Sequence, residues 1–147
     1  MIIFTKIDPV SRLQLLKLII VRWLFTKIIE EVKTDEEVLA LFLFGSTARN
    51  ENVEKSDIDI CLVLTPRSYT PRELSQKKLS YLKRFNLDIQ VFQQLPIYIK
   101  TRVLKEGKVL HCKDEDSLYD IAFTVIQEFA DFEPIYRDYL KEVGDAR

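Results

Sequence analysis

Histidine is nearly absent from this chain: His111 is the only one among 147 residues. That excludes a histidine-built zinc centre, and a Ser-His-Asp triad would have to use a residue in a strand-like run. Cysteine is scarce too. Cys61 and Cys112 lie in apolar segments with no metal-ligand spacing. They read as reduced core thiols, and with no secretory leader apparent, a cytoplasmic protein is expected. Long apolar runs are also missing. The most apolar stretch, residues 13–25, is interrupted by Lys17 and Arg22. It falls short of the roughly 20 apolar residues a spanning helix needs, and it lacks a small-residue cleavage site. A helix packed on protein is expected there, with no membrane partner. Neither charge sign dominates, since the formal net charge is -1. Chemistry in this chain must rest on carboxylates.

What is present is ordinary globular material, 47% hydrophobic and 31% charged, sized for one domain over residues 1–147. The charge is unevenly spread. Residues 66–108 carry ten Lys/Arg against three acids, and residues 113–147 carry ten acids against four bases. Two solvated helix faces of unlike sign account for this, although the same pattern can steer an anionic ligand. Asp8-Pro9 predicts a helix start, with Asp8 as cap, and a helix from about 9 to 32. VLALFLF (38–44), DIDICLVL (57–64), LDIQVF (87–92) and KVLHC (108–112) predict four strands. A helix capped by Thr70 and opened by Pro71, and another opened by Pro96 and stopped by Gly107, separate them. A helical tail over 115–143 carries an apolar stripe at Leu118, Ile121, Ala122, Val125, Ile126 and Phe129, with an interruption at Pro134. The predicted class is α/β: a small mixed sheet flanked by helices, its core spanning 38–112.

Strand alternation puts Asp57 and Asp59 on one side of their strand, with Ile58, Ile60, Leu62 and Leu64 on the other. Like charges about 6–7 Å apart on one face repel unless something neutralises them. Mg²⁺ does so with hard-oxygen ligands, typically one or two carboxylates plus substrate phosphates. Asp88 opens a third apolar strand. If the two strands are neighbours, three carboxylates converge, enough to hold two ions about 4 Å apart. Gly45-Ser46, at the end of the first strand, then supplies close backbone approach and N–H donors for a phosphate, with Arg49 one turn further on. Taken singly, Gly-Ser is a common turn pair and Asp-x-Asp a common strand-start pair. Their combination at the edges of apolar strands is what points to phosphoryl chemistry.

Gly-Ser followed after ten residues by Asp-x-Asp resembles the signature of the DNA polymerase beta-like nucleotidyltransferases. GSTAR…SDIDICLVL is similar to their minimal nucleotidyltransferase (MNT) proteins. The resemblance covers residues 38 to about 110. It implies a nucleotidyltransferase fold, ATP as substrate, and two Mg²⁺ ions on Asp57, Asp59 and Asp88, with Gly45 and Ser46 at the triphosphate. It further implies an antitoxin paired in a hetero-oligomer with a HEPN-domain ribonuclease toxin, which it silences by adenylylating tyrosine. Occlusion of the toxin without catalysis is the competing expectation. Transfer to an RNA or small-molecule acceptor ranks third, because few aromatics interleave the basic segment and direct nucleic-acid binding is not expected. The tail stripe is expected to be core. The N-terminal helix divides evenly between core and partner surface.

Overall fold

The structure, a computed structural model, describes residues 9–45 and 58–145. Helix α1 (Pro9–Thr34) leads into strand β1 (Val38–Phe44), and β2 (Asp59–Leu64) follows. Then come α2 (Pro71–Arg84), β3 (Asp88–Val91), a 3-10 turn (Phe92–Gln94), α3 (Ile97–Glu106), β4 (Lys108–Cys112) and α4 (Glu115–Asp145). The strands form one mixed sheet in the order β3-β2-β1-β4. β1 runs antiparallel to both β2 and β4, and β2 and β3 are parallel. A parallel pair needs a crossover connection, and α2 supplies it.

Both faces of the sheet are covered, which is why its central strands read as unbroken apolar runs. On one face Val21, Leu24, Ile28 and Val32 of α1 and Tyr81 of α2 pack on Ile58, Ile60, Leu62, Leu64, Ile89 and Val91. On the other, Val103 of α3 and Val125 of α4 pack on Leu39, Phe42, Cys61 and Val63. The alternation expected for residues 58–64 therefore holds. Burying each such aliphatic side chain contributes about 1.5–3 kcal/mol.

Helix ends follow local chemistry. The Thr70 side chain accepts the Glu73 N–H at 3.1 Å while Pro71 takes the first helical position, as expected. Asp8 lies outside the described residues. The expected break at Pro134 does not occur: α4 runs continuously through it. Proline removes a single i→i−4 hydrogen bond. Here the flanking turns are held by aromatic packing, with Tyr136 stacked on Tyr98 of α3 at 5.4 Å and on Phe132 at 5.5 Å. The N-terminal helix turns out to be divided. Its second half is core, whereas Leu13, Leu16, Leu18, Ile19, Ile20 and Trp23 are exposed. In the tail, Leu118, Ile121 and Val125 join the core and Ile126 does not.

A polar clasp ties the α1–β1 turn to α2. The Asp35 carboxylate accepts from Lys77 Nζ at 3.0 and 3.2 Å, from the buried Tyr81 hydroxyl at 2.8 Å, and from the Glu37 N–H at 3.1 Å. Burial opposes ionisation of Asp35, but these donors outweigh it and hold its pKa below the usual carboxylate value. A lowered carboxylate pKa stabilises the fold above the unfolded-state value of about 3.9, and that stability is lost as pH falls through the folded value. Asp35→Ala should therefore cost about 2 kcal/mol at neutral pH, chiefly by stranding the buried Tyr81 hydroxyl. The deficit relative to wild type should shrink below about pH 4, as measured by urea unfolding across pH.

Candidate active site

β2 opens with Asp59, and β3 opens with Asp88. Parallel pairing sets the two residues directly opposite each other in register, and the Asp88 N–H donates to the Ile58 carbonyl at 3.2 Å, fixing that register at its first rung. On the other side of Asp59 lies β1, where Phe44 is its partner. The next residue is Gly45, at φ 78°. The site is thus a row across one end of the sheet: Gly45, Asp59, Asp88.

Gly45 is required there on two counts. Its backbone lies in the left-handed region that residues with a Cβ disfavour. A Cβ at that position would also lie 2.2 Å from Asp59 Oδ2. The chain therefore brings bare backbone up against a carboxylate, a close approach that only glycine allows. Asp59 is half-buried and Asp88 is exposed. Two hard-oxygen carboxylates in register suit Mg²⁺, with phosphate oxygens and water completing its shell. Among the described residues no cluster of three metal-ligating side chains occurs. The expected third carboxylate, Asp57, lies outside the described residues, as do Ser46 and Arg49.

Other candidate chemistry is removed by position. Cys61, two residues along from Asp59, is buried, and burial pushes its thiol pKa far up, so it is inert packing. His111 sits on β4, at the opposite edge of the sheet from β3. Its pKa is lowered by burial and by the Lys33 and Lys113 charges. Four of the ten bases in residues 66–108 are ion-paired within the fold: Arg67 with Glu37 and Glu73, Lys77 with Asp35 and Glu37, Arg84 with Glu31, and Arg102 with Glu106. A cavity of about 490 Å³ lies beyond the far ends of β2 and β3, between Arg67, Phe92, Lys100 and α4. Its lining includes neither Asp59 nor Asp88.

The structure adds three residues that sequence reasoning did not single out. Arg102 and Glu106 of α3 line a recess of about 110 Å³ beside Gly45, placing a cation near the expected phosphates. Gln90 donates from Nε2 to Asp88 Oδ1 at 3.3 Å. Its Oε1 accepts from Lys78 Nζ at 3.1 Å. Strand alternation alone puts Gln90 on the Asp88 face. The Lys78 contact depends on tertiary packing.

Comparison with known proteins identifies the family and the fold. The family model described as Polymerase beta, Nucleotidyltransferase matches residues 26–116. A Methanocaldococcus jannaschii protein named "Putative protein adenylyltransferase" is 33% identical over 109 residues, covering 74% of this chain and 78% of that protein. Among solved structures, a chain of a toxin–antitoxin complex with AMP-PNP superposes with a TM-score of 0.61 at 19% identity, covering 81% of this chain and 97% of that one. A chain from the complex of tri-AMPylated Shewanella oneidensis HEPN toxin with MNT antitoxin gives 0.57 at 17% identity, covering 83% and 97%. Among the described residues no helix is long and apolar enough to cross a membrane. With the Gly45–Asp59–Asp88 row at the end of a four-stranded mixed sheet, the chain belongs to the polymerase beta nucleotidyltransferase family.

Proposed function

We propose that this chain is an antitoxin that transfers AMP from ATP to a tyrosine hydroxyl of a HEPN-domain ribonuclease and so silences it. The observation that carries this reading is Asp59 held between the bare backbone of Gly45 and the in-register Asp88. Asp59 and Asp88, with Asp57, hold Mg²⁺; when bound, the ion neutralises phosphate charge and makes the acceptor hydroxyl more acidic. Ser46 and Arg49 join Gly45 at the triphosphate. The tyrosine oxygen attacks the α-phosphorus, the bond to the bridging oxygen of the β-phosphate breaks, and pyrophosphate leaves with that electron pair. Asp88, exposed on the edge strand where an acceptor side chain has access, takes the hydroxyl proton.

The acceptor must come from another molecule. The tri-AMPylated HEPN toxin in a related complex supports a toxin tyrosine, and the relative named for protein adenylyltransferase activity supports a protein acceptor. Exposed apolar side chains on α1 (Leu13, Leu16, Ile20, Trp23) and α4 (Tyr119, Phe123, Ile126) offer surface for such a partner. The same surface favours the second reading, neutralisation by occlusion. An RNA acceptor is disfavoured by the ion pairs that engage Arg67, Lys77, Arg84 and Arg102.

Two outcomes are expected. Gly45→Ala should displace the Asp59 carboxylate and lower AMP transfer by about 100-fold, the scale of a 1 Å misplacement, while circular dichroism shows a folded chain. In a ribonuclease assay with ATP and Mg²⁺, a small fraction of an equivalent of wild-type chain should silence the toxin over time, and Asp59→Asn should not. Silencing that needs a full equivalent and survives Asp59→Asn would make the chain an occluding inhibitor.

A further inference from the structure

Among the described residues of the site Asp88 is the most exposed, and it stands on an edge strand. An exposed carboxylate samples several rotamers, and a carboxylate that must meet a phosphate-bound cation and a hydroxyl proton cannot be left to do so without loss of rate. The contacts around it supply the restraint. Lys78, from α2 on the opposite face of the sheet, donates to Gln90 Oε1 at 3.1 Å, and Gln90 Nε2 donates to Asp88 Oδ1 at 3.3 Å. An ammonium only donates and a carboxylate only accepts, so one orientation of the intervening amide satisfies both ends. The Gln90 backbone is held in turn by its register with Cys61 in the sheet centre.

Resting on the role of Asp88 given above, we infer that Lys78 and Gln90 form a positioning relay for the catalytic carboxylate. Gln90 ties down Oδ1 and leaves Oδ2 for the incoming cation or proton. Lys78 fixes the amide without touching Asp88. The inserted amide matters chemically: a lysine paired directly with Asp88 would occupy the carboxylate and compete with a metal ion for it, whereas the amide orients it and leaves its charge in place. The relay also links α2, anchored through Lys77 and Tyr81 to Asp35, to the site.

The test uses the 147-residue chain with five variants: Gln90→Leu, Lys78→Met, the double variant, Lys78→Arg and Asp88→Asn. Outer-shell partners of metal-ligating groups typically contribute 10–100-fold. Gln90→Leu should therefore lower kcat for AMP transfer by about 10-fold, with the KM for ATP and the thermal midpoint little changed. Mn²⁺ affinity in the presence of AMP-PNP, read by electron paramagnetic resonance without turnover, should weaken by a similar factor. Lys78→Met should give a smaller loss in the same direction, and the double variant should be no worse than Gln90→Leu, because Lys78 acts through Gln90. Lys78→Arg should keep wild-type values. Wild-type kcat and Mn²⁺ affinity in Gln90→Leu, or losses that multiply in the double variant, would overturn the relay. Asp88→Asn separates the two levels: if it keeps full transfer, the role of Asp88 itself fails; if it is inactive while Gln90→Leu is unimpaired, only the relay fails.

Discussion

Two carboxylates facing each other across adjacent parallel strands repel, and the rest of this structure is what keeps them there. Asp59 and Asp88 share a register that sets two like charges opposite each other. The strands behind them supply the counterforce. Ile60, Leu62, Ile89 and Val91 are buried, and slipping the register by one residue would turn that whole set to the other face. Hydrophobic burial thus fixes the two aspartates side by side at the end of the sheet.

The same logic extends outward from the site. Gly45 closes the row on one side because its lack of a side chain admits the Asp59 carboxylate. Gln90 closes it on the other through a hydrogen bond. The crossover helix α2 is fastened at its middle by the Asp35–Lys77–Tyr81 clasp and at the sheet edge by Lys78. The sheet and α2 therefore form a rigid platform with reactive groups confined to one end. Much of the exposed apolar surface lies elsewhere, on α1 and the outer side of α4. A division between a fixed chemical end and separate contact surfaces suits an enzyme whose acceptor arrives on another protein.

Much of this was legible in the residue pattern. Continuous apolar runs located β1 and β2, Thr70-Pro71 located the start of α2, and strand alternation put Asp59 opposite the Ile58 and Ile60 face. Strand order was not legible, because register between Asp59 and Asp88 is decided by packing of α2 and not by any local signal. Pro134 misled for a related reason: a proline breaks an isolated helix, but aromatic contacts with α3 carry α4 through it. The N-terminal helix read as apolar nearly all round, and only the fold shows that Val21, Leu24, Ile28 and Val32 face the sheet while Leu13, Leu16 and Trp23 do not. Gln90 gave no signal as an uncharged residue in an apolar strand. Its significance comes from the partners at its two ends.

The most direct measurement is intact-mass spectrometry of the proposed HEPN partner after incubation with this chain, ATP and Mg²⁺, with Asp59→Asn run in parallel. The predicted result is a gain of one or more adenylates on the partner with the wild-type chain and none with the variant. An unmodified partner, silenced equally by both versions, would contradict the transferase account.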